Sequence, residues 1–103
     1  MKFTAWSHDG EWYGLRVSKK ERNTYFRKQI EKIFLELPIK DDFTRFQVNV
    51  TPSFWNNCPE LRSAKIRNWF NVCGYSRPTT IEPPKFQASF ITPNTIRVNR
   101  NKE

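Results

Sequence analysis

The sequence predicts an α+β domain: a small, mostly antiparallel sheet or half-open barrel carrying two amphipathic helices. Three observations predict it. "FTRFQVNV" alternates apolar and polar residues along its whole length, the pattern of a half-buried strand. "VSKKE" is a capping box that opens onto apolar residues at helical spacing. "KFQASFI" and "IRVNR" are two short alternating runs around the turn sequence "TPNT", which makes a hairpin. At 103 residues the chain fits one domain, spanning 1–103.

Taken in order, "EWYGLRV" is aromatic and β-favouring, and predicts a strand over 11–17. A helix is expected from Ser18 to Leu37, where Pro38 stops it. Ser18 would accept from the Glu21 backbone N–H while the Glu21 carboxylate reaches back. Phe26, Ile30, Ile33, Phe34 and Leu37 fall on one helical face. In the strand that follows, Phe46, Val48 and Val50 should face inward, and Arg45, Gln47 and Asn49 outward. A second helix is expected from Pro59, capped by Asn57 or Cys58, with Glu60 near the positive end of its dipole. Ile66, Trp69, Phe70 and Cys73 form its apolar face, and Gly74 closes it. "YSRPTTIEPP" reads as a loop before the hairpin.

Nine Phe, four Trp and three Tyr supply the core in bulky units. No apolar run is long enough to span a bilayer, so no membrane partner is expected. The opening "MKFTAWSHDGEW" lacks the apolar stretch of a signal peptide. An intracellular protein is expected, cytoplasmic in a bacterium or phage and otherwise nuclear. Fifteen residues of continuous helix would hold Cys58 and Cys73 about 22 Å apart, beyond disulfide reach. Both should be reduced.

Catalytic raw material is scarce. His8 is the single histidine and has no zinc-ligand spacing to either cysteine. Cys73 is expected to be a small buried residue. The three glycines are isolated, so there is no phosphate loop. Lys40, Asp41 and Asp42 could hint at a metal-dependent nuclease, against which stands an ordinary solvated turn. The expectation is a non-catalytic protein without a cofactor.

Charge is the positive signal. Lys and Arg number 18 against 10 Asp and Glu, for a net charge of +8, which biases encounters toward polyanions. Lys19, Lys20, Arg22, Arg27 and Lys28 cluster around a predicted helix start, where backbone N–H groups suit a phosphate oxygen. Asn23, Thr24 and Tyr25 add short donors and a ring. The bland alternative is the basic solvent face of an amphipathic helix. A second surface gathers Ser53, Trp55, Asn56 and Asn57, followed by Arg62 and Lys65. There Asn and Arg offer bidentate base contacts, and an exposed Trp55 would be a stacking platform. The competing reading is a plain turn and cap. A third basic group comprises Arg77, Lys85, Arg97, Arg100 and Lys102.

The succession "VSKKERNTYFRKQIEKIFLELP", "FQVNVTPSFWNN" and "IRNWFNVCGY" with a Phe-bearing last strand is similar in layout to the B3-like DNA-binding pseudobarrel. That fold occurs in plant transcription factors and in recognition domains of some restriction endonucleases. The resemblance implies two arms that embrace the major groove, here 18–27 and 53–57. The chain departs from the family pattern in a longer predicted helix from Lys19, in lacking "LVIP", and in lacking a Gly-Asp loop before the last strand.

The function expected is nucleic-acid binding, duplex DNA first. The residues expected to carry it are Lys19, Lys20, Arg22, Asn23, Tyr25, Arg27, Lys28, Ser53, Trp55, Asn56, Asn57, Arg62 and Lys65. The alternatives are an RNA or single-strand binder, and a protein-interaction module using aromatic residues around Trp6, Trp12 and Trp55.

Overall fold

The structure is a computed structural model and describes residues 1–28, 30–56, 59–75, 78 and 82–100. It forms β1 (Lys2–His8), β2 (Glu11–Arg16), α1 (Lys19–Tyr25), β3 (Lys32–Ile39) and β4 (Asp42–Asn49). These are followed by α2 (Pro52–Asn56), β5 (Glu60–Arg62), α3 (Ala64–Val72), β6 (Lys85–Thr92) and β7 (Thr95–Val98). The seven strands make one sheet in the order β4-β3-β7-β6-β1-β2-β5. Every neighbouring pair is antiparallel except β3 with β7, which run parallel. The two ends of that order, β4 and β5, lie against each other, so the sheet is rolled into a nearly closed barrel.

The expected sheet-rich α+β class holds, with less helix than predicted and in three short pieces. No element was expected before residue 11, yet residues 2–8 form β1. Asp9 and Gly10 turn it into β2 with φ of 52° and 74°. A two-residue Asp-Gly loop with both φ positive twists in the same sense as the strands it joins.

The predicted helix over 18–37 is overturned after Tyr25. Phe26 already has extended backbone and ends α1. Residues 32–39 then pair along their whole length with β4. Ile33, Leu35 and Leu37 are each 0% exposed, a period of two that places all three inside the barrel. Pro38 lies beyond the three residues that pair with β7, where its missing N–H breaks no ladder bond to that strand.

The second predicted helix is also divided. Glu60 and Arg62 belong to β5, paired with Arg16 and Gly14 of β2. The helix α3 starts later, capped by Ser63, whose hydroxyl accepts from the Lys65 N–H at 3.1 Å. Asn57 and Cys58, the expected caps, lie outside the described residues. Without one continuous helix, the rise argument separating Cys58 from Cys73 loses its premise. Cys73 is exposed at the end of α3 rather than buried. The expected stop at Gly74 does form. Gly74 N–H donates to Asn71 O and Tyr75 N–H to Phe70 O, with Gly74 at φ 76°, a Schellman closure.

The barrel interior is filled from every strand, and the helices close its ends. At the start of β3, Phe26 meets Phe54 of α2 at 4.9 Å between ring centroids and Phe90 at 5.1 Å. At its far end Trp69 Nε1 donates to Pro38 O at 2.7 Å. The Trp69 and Phe70 rings pack there on Phe86. Among the described residues no helix is long and apolar enough to cross a membrane.

The β2–β5 contact is tight enough to demand a glycine. A Cβ on Gly14 would stand 2.6 Å from Leu61 O and 3.2 Å from the Trp6 ring. Gly14→Ala is therefore expected to destabilise by about 1–3 kcal/mol, lowering Tm by roughly 5 °C or more. A thermal melt with unchanged Tm would refute that packing.

Candidate functional site

Two of the segments singled out by charge and by aromatic content meet in space. The Ser18 hydroxyl accepts from the Glu21 N–H at 3.0 Å, as expected of a helix start. The other half of the capping box is replaced: the Glu21 carboxylate accepts from the Lys2 N–H at 3.1 and 3.3 Å. That bond ties α1 to β1.

Arg22 faces inward and is 8% exposed. Its guanidinium donates to Phe54 O at 3.0 Å and to Asn23 Oδ1 at 3.1 Å. It also lies over the Trp55 ring at 5.8 Å, within cation–π range. Arg22 is thus a bolt between α1 and α2, not a cation presented to a ligand. The phosphate site expected at the helix start falls on this same short helix. The helix α1 has only seven residues, its dipole is correspondingly small, and Ser18 already occupies the Glu21 N–H.

What α1 presents outward is Lys19, Lys20, Asn23, Thr24 and Tyr25, continued by Arg27 and Lys28. Tyr25 is 52% exposed. Among the described residues, no carboxylate pairs with Lys19, Lys20, Arg27 or Lys28. The arginines of the sheet are placed differently. Glu60 takes Arg16 at 3.2 Å and Arg62 at 3.0 Å. Glu36 takes Arg97 at 2.8 Å and Arg45 at 3.8 Å. Arg100 donates to the carbonyls of Lys40 and Asp42. Lys85 hydrogen-bonds Glu82, and that bond with its charge holds the Glu82 carboxyl below the usual range.

Between the segment that follows α1 and the short helix α2 lies a groove of about 510 Å³. Buried Ile30 and Val50 and the half-buried Trp55 line it, with Lys28, Glu31, Pro52 and Asn56 exposed at its rim. Trp55 reaches it because α2 is helical, which sends the adjacent Phe54 into the core and leaves Trp55 half outside. Ser53 is exposed on the same short helix. The Thr-Pro at 51–52 is a helix-start signal that could have revealed α2. No motif marked Glu31 or Val50.

Arg62 and Lys65 do not join this groove. Arg62 lies flat on the Trp6 ring at 4.5 Å. Lys65 sits at the start of α3 near Phe46. Arg77 and Lys102 lie outside the described residues. Trp6, Trp12 and Trp55 occupy three separate settings: Trp6 stacks on His8, Trp12 packs on Phe70, and Trp55 borders the groove.

Asp41 lies in the β3–β4 turn and Asp42 opens β4, where Asp42 Oδ1 accepts from the Phe43 N–H at 2.8 Å. Among the described residues no three His, Cys, Asp or Glu gather so as to hold a metal. Although Cys73 is exposed, partial desolvation of its thiol raises the thiol above its ordinary value, which disfavours the nucleophilic thiolate. Compared with known proteins, the chain matches no family model, no curated protein and no solved structure.

The two kinds of basic residue should separate experimentally. Arg22→Ala strands the Phe54 carbonyl and should cost about 1–3 kcal/mol of stability. Lys19→Ala or Lys20→Ala should stay within about 0.5 kcal/mol. Urea unfolding of the three variants measures this, and equal stabilities would remove the bolt.

Proposed function

We propose that the chain is a non-catalytic nucleic-acid-binding domain, with duplex DNA as its main target. The face that binds is formed by α1, the segment after it, and α2. One observation carries the reading. Lys19, Lys20, Arg27 and Lys28 cluster on and just after α1 with no carboxylate partner among the described residues, and Lys28 lines the Trp55 groove, whereas four arginines of the sheet are held by Glu36 and Glu60. Free cations neutralise phosphates and release counterions, while cations already paired gain less. Asn23, Ser53 and Asn56 stand exposed on the same face with hydrogen-bonding groups for sugar, phosphate or base edges. No cofactor enters this mechanism.

A relationship to the B3-like pseudobarrel is proposed on the same footing. The sheet is nearly closed, as a pseudobarrel would be, and Arg22 of the first segment hydrogen-bonds the Phe54 carbonyl of the second. The short α1 removes one of the departures seen in the sequence. The missing "LVIP" and Gly-Asp loop remain departures.

Fluorescence anisotropy with a labelled duplex, titrated from low to physiological salt, tests the proposal. Binding should weaken steeply with salt. Replacing Lys19, Lys20, Arg27 and Lys28 by Ala should reduce the log–log slope by about 1 for each phosphate no longer neutralised. Arg62→Ala should change the slope little. An absence of binding at low salt would sink the reading and turn attention to a protein partner. A matched RNA or single strand binding more tightly than duplex would reassign the target.

A further inference from the structure

We infer that the groove between β4 and α3 is a docking site for an acidic, extended peptide segment of a partner protein, which adds to the outer edge of β4. The inference is independent of the nucleic-acid reading, because it uses neither α1 nor α2.

The edge comes from the topology. β4 ends the sheet order and has a ladder on one side only, to β3. The Val50 N–H donates to Glu31 O, and the alternation of an antiparallel ladder then turns the backbone groups of Val48, Phe46 and Thr44 toward β3. Those of Arg45 and Gln47 point to the other edge. The three residues of β5 stand opposite the last part of β4, where Gln47, Asn49, Glu60 and Arg62 line one small cavity. Alongside residues 44–46 the neighbour is α3, and a groove of about 290 Å³ lies between them.

This groove has a fixed floor and charge of one sign. Phe46 and Trp69 are buried beneath it, and the Pro38 carbonyl holds the Trp69 indole at 2.7 Å. Ile39 and Val72 add apolar wall, Val72 being 64% exposed. Its charged lining is Arg45 and Lys65, without a carboxylate. Lys65 Nζ lies 5.9 Å from the Phe46 ring centroid, and among the described residues no carboxylate pairs with it. Arg45 has only the 3.8 Å pair with Glu36, whose nearer partner is Arg97 at 2.8 Å.

These features select the occupant. The volume falls just under the roughly 300–1,000 Å³ of sites that enclose small ligands, and suits one apolar side chain. A second copy of this chain would bring the same cations edge to edge, which like charge opposes. A nucleic-acid strand can meet the cations but has no amide backbone to pair with Arg45. An extended acidic peptide meets every group. Its backbone pairs with Arg45, one apolar side chain enters over Phe46 and Trp69, and flanking carboxylates reach Arg45 and Lys65.

The probe is a labelled peptide of about eight residues, the length of a strand: one Leu flanked by Asp in a Thr- and Val-rich sequence. Fluorescence anisotropy with the full chain should show binding, and the same peptide with Lys in place of Asp should not bind. Methylating the peptide's backbone nitrogens should weaken binding about tenfold. Lys65→Glu should also weaken it about tenfold while keeping the fold, since a carboxylate suits the first turn of α3. Val72→Ala should weaken it about threefold and leave duplex binding unchanged.

Failure of the acidic peptide to bind, equal binding of the Lys-bearing or the methylated peptide, or unchanged affinity in Lys65→Glu would overturn the inference and leave the nucleic-acid reading standing. Displacement of the peptide by duplex, with Val72→Ala weakening both ligands alike, would overturn it by making the groove part of the nucleic-acid face. Peptide binding with these variant effects, in a chain that binds no duplex at low salt, would support the groove and remove only the nucleic-acid reading.

Discussion

The fold depends on β3. This strand pairs with β4 on one side and, in parallel, with β7 on the other. It therefore joins the chain's central hairpin to its last one. Ile33, Leu35 and Leu37 point into the barrel, while Glu36 points out and collects Arg97 and Arg45. The two ends of β3 also position the helices. Phe26 and Ile30 lead into it beside α2, and the Pro38 carbonyl receives the Trp69 indole at the other end. A register slip of one residue would turn the three aliphatic side chains into solvent and Glu36 into the core.

The same outward faces explain why the net charge of +8 is unevenly available. Glu36 and Glu60 are buried carboxylates on the outside of the sheet, each between two arginines. The guanidinium groups spread over rings as well: Arg45 on Phe34, Arg97 on Phe43, and Arg62 on Trp6. A planar guanidinium can fork to a carboxylate and stack on a ring at once, which an ammonium does poorly. These half-exposed pairs contribute modestly to stability. They also occupy the arginines of the sheet, whereas no carboxylate pairs with Lys19 or Lys20 of α1 among the described residues.

Most of the sheet was legible because alternation is a local signal. "FTRFQVNV" and the last hairpin could be read from their own residues, and the structure keeps Phe46, Val48, Phe86 and Ala88 inside. The long helix failed because two periods coincide. Phe26, Ile30, Ile33 and Leu37 satisfy helical spacing, whereas Ile33, Leu35 and Leu37 satisfy strand spacing, and only pairing with β4 and β7 decides between them. Pro59 misled in a similar way, since its place before Glu60 suits a helix start until β2 claims Glu60 and Arg62. The Asp-Gly at 9–10 is a local hairpin signal of the same kind as the alternating strands, and it marks β1 and β2. Arg22 could not have been separated from its basic neighbours, because the carbonyl it binds lies 32 residues away.

That separation has a consequence for the candidate site. Within "KKERNTYFRK" Arg22 and, four residues on, Phe26 turn inward while the lysines, Asn23, Thr24, Tyr25 and Arg27 remain out, as a short helix requires when one face packs on α2. By turning inward, Arg22 satisfies the Phe54 carbonyl and lies over the Trp55 ring, which borders the groove that Lys28 also lines. The charged rim and the aromatic platform are therefore not two independent surface features. They are two faces of one contact between α1 and α2, and a substitution that loosens this contact would disturb both together. Stability measured at Arg22 thus reports on the geometry of the groove, while the lysines around it report on charge alone.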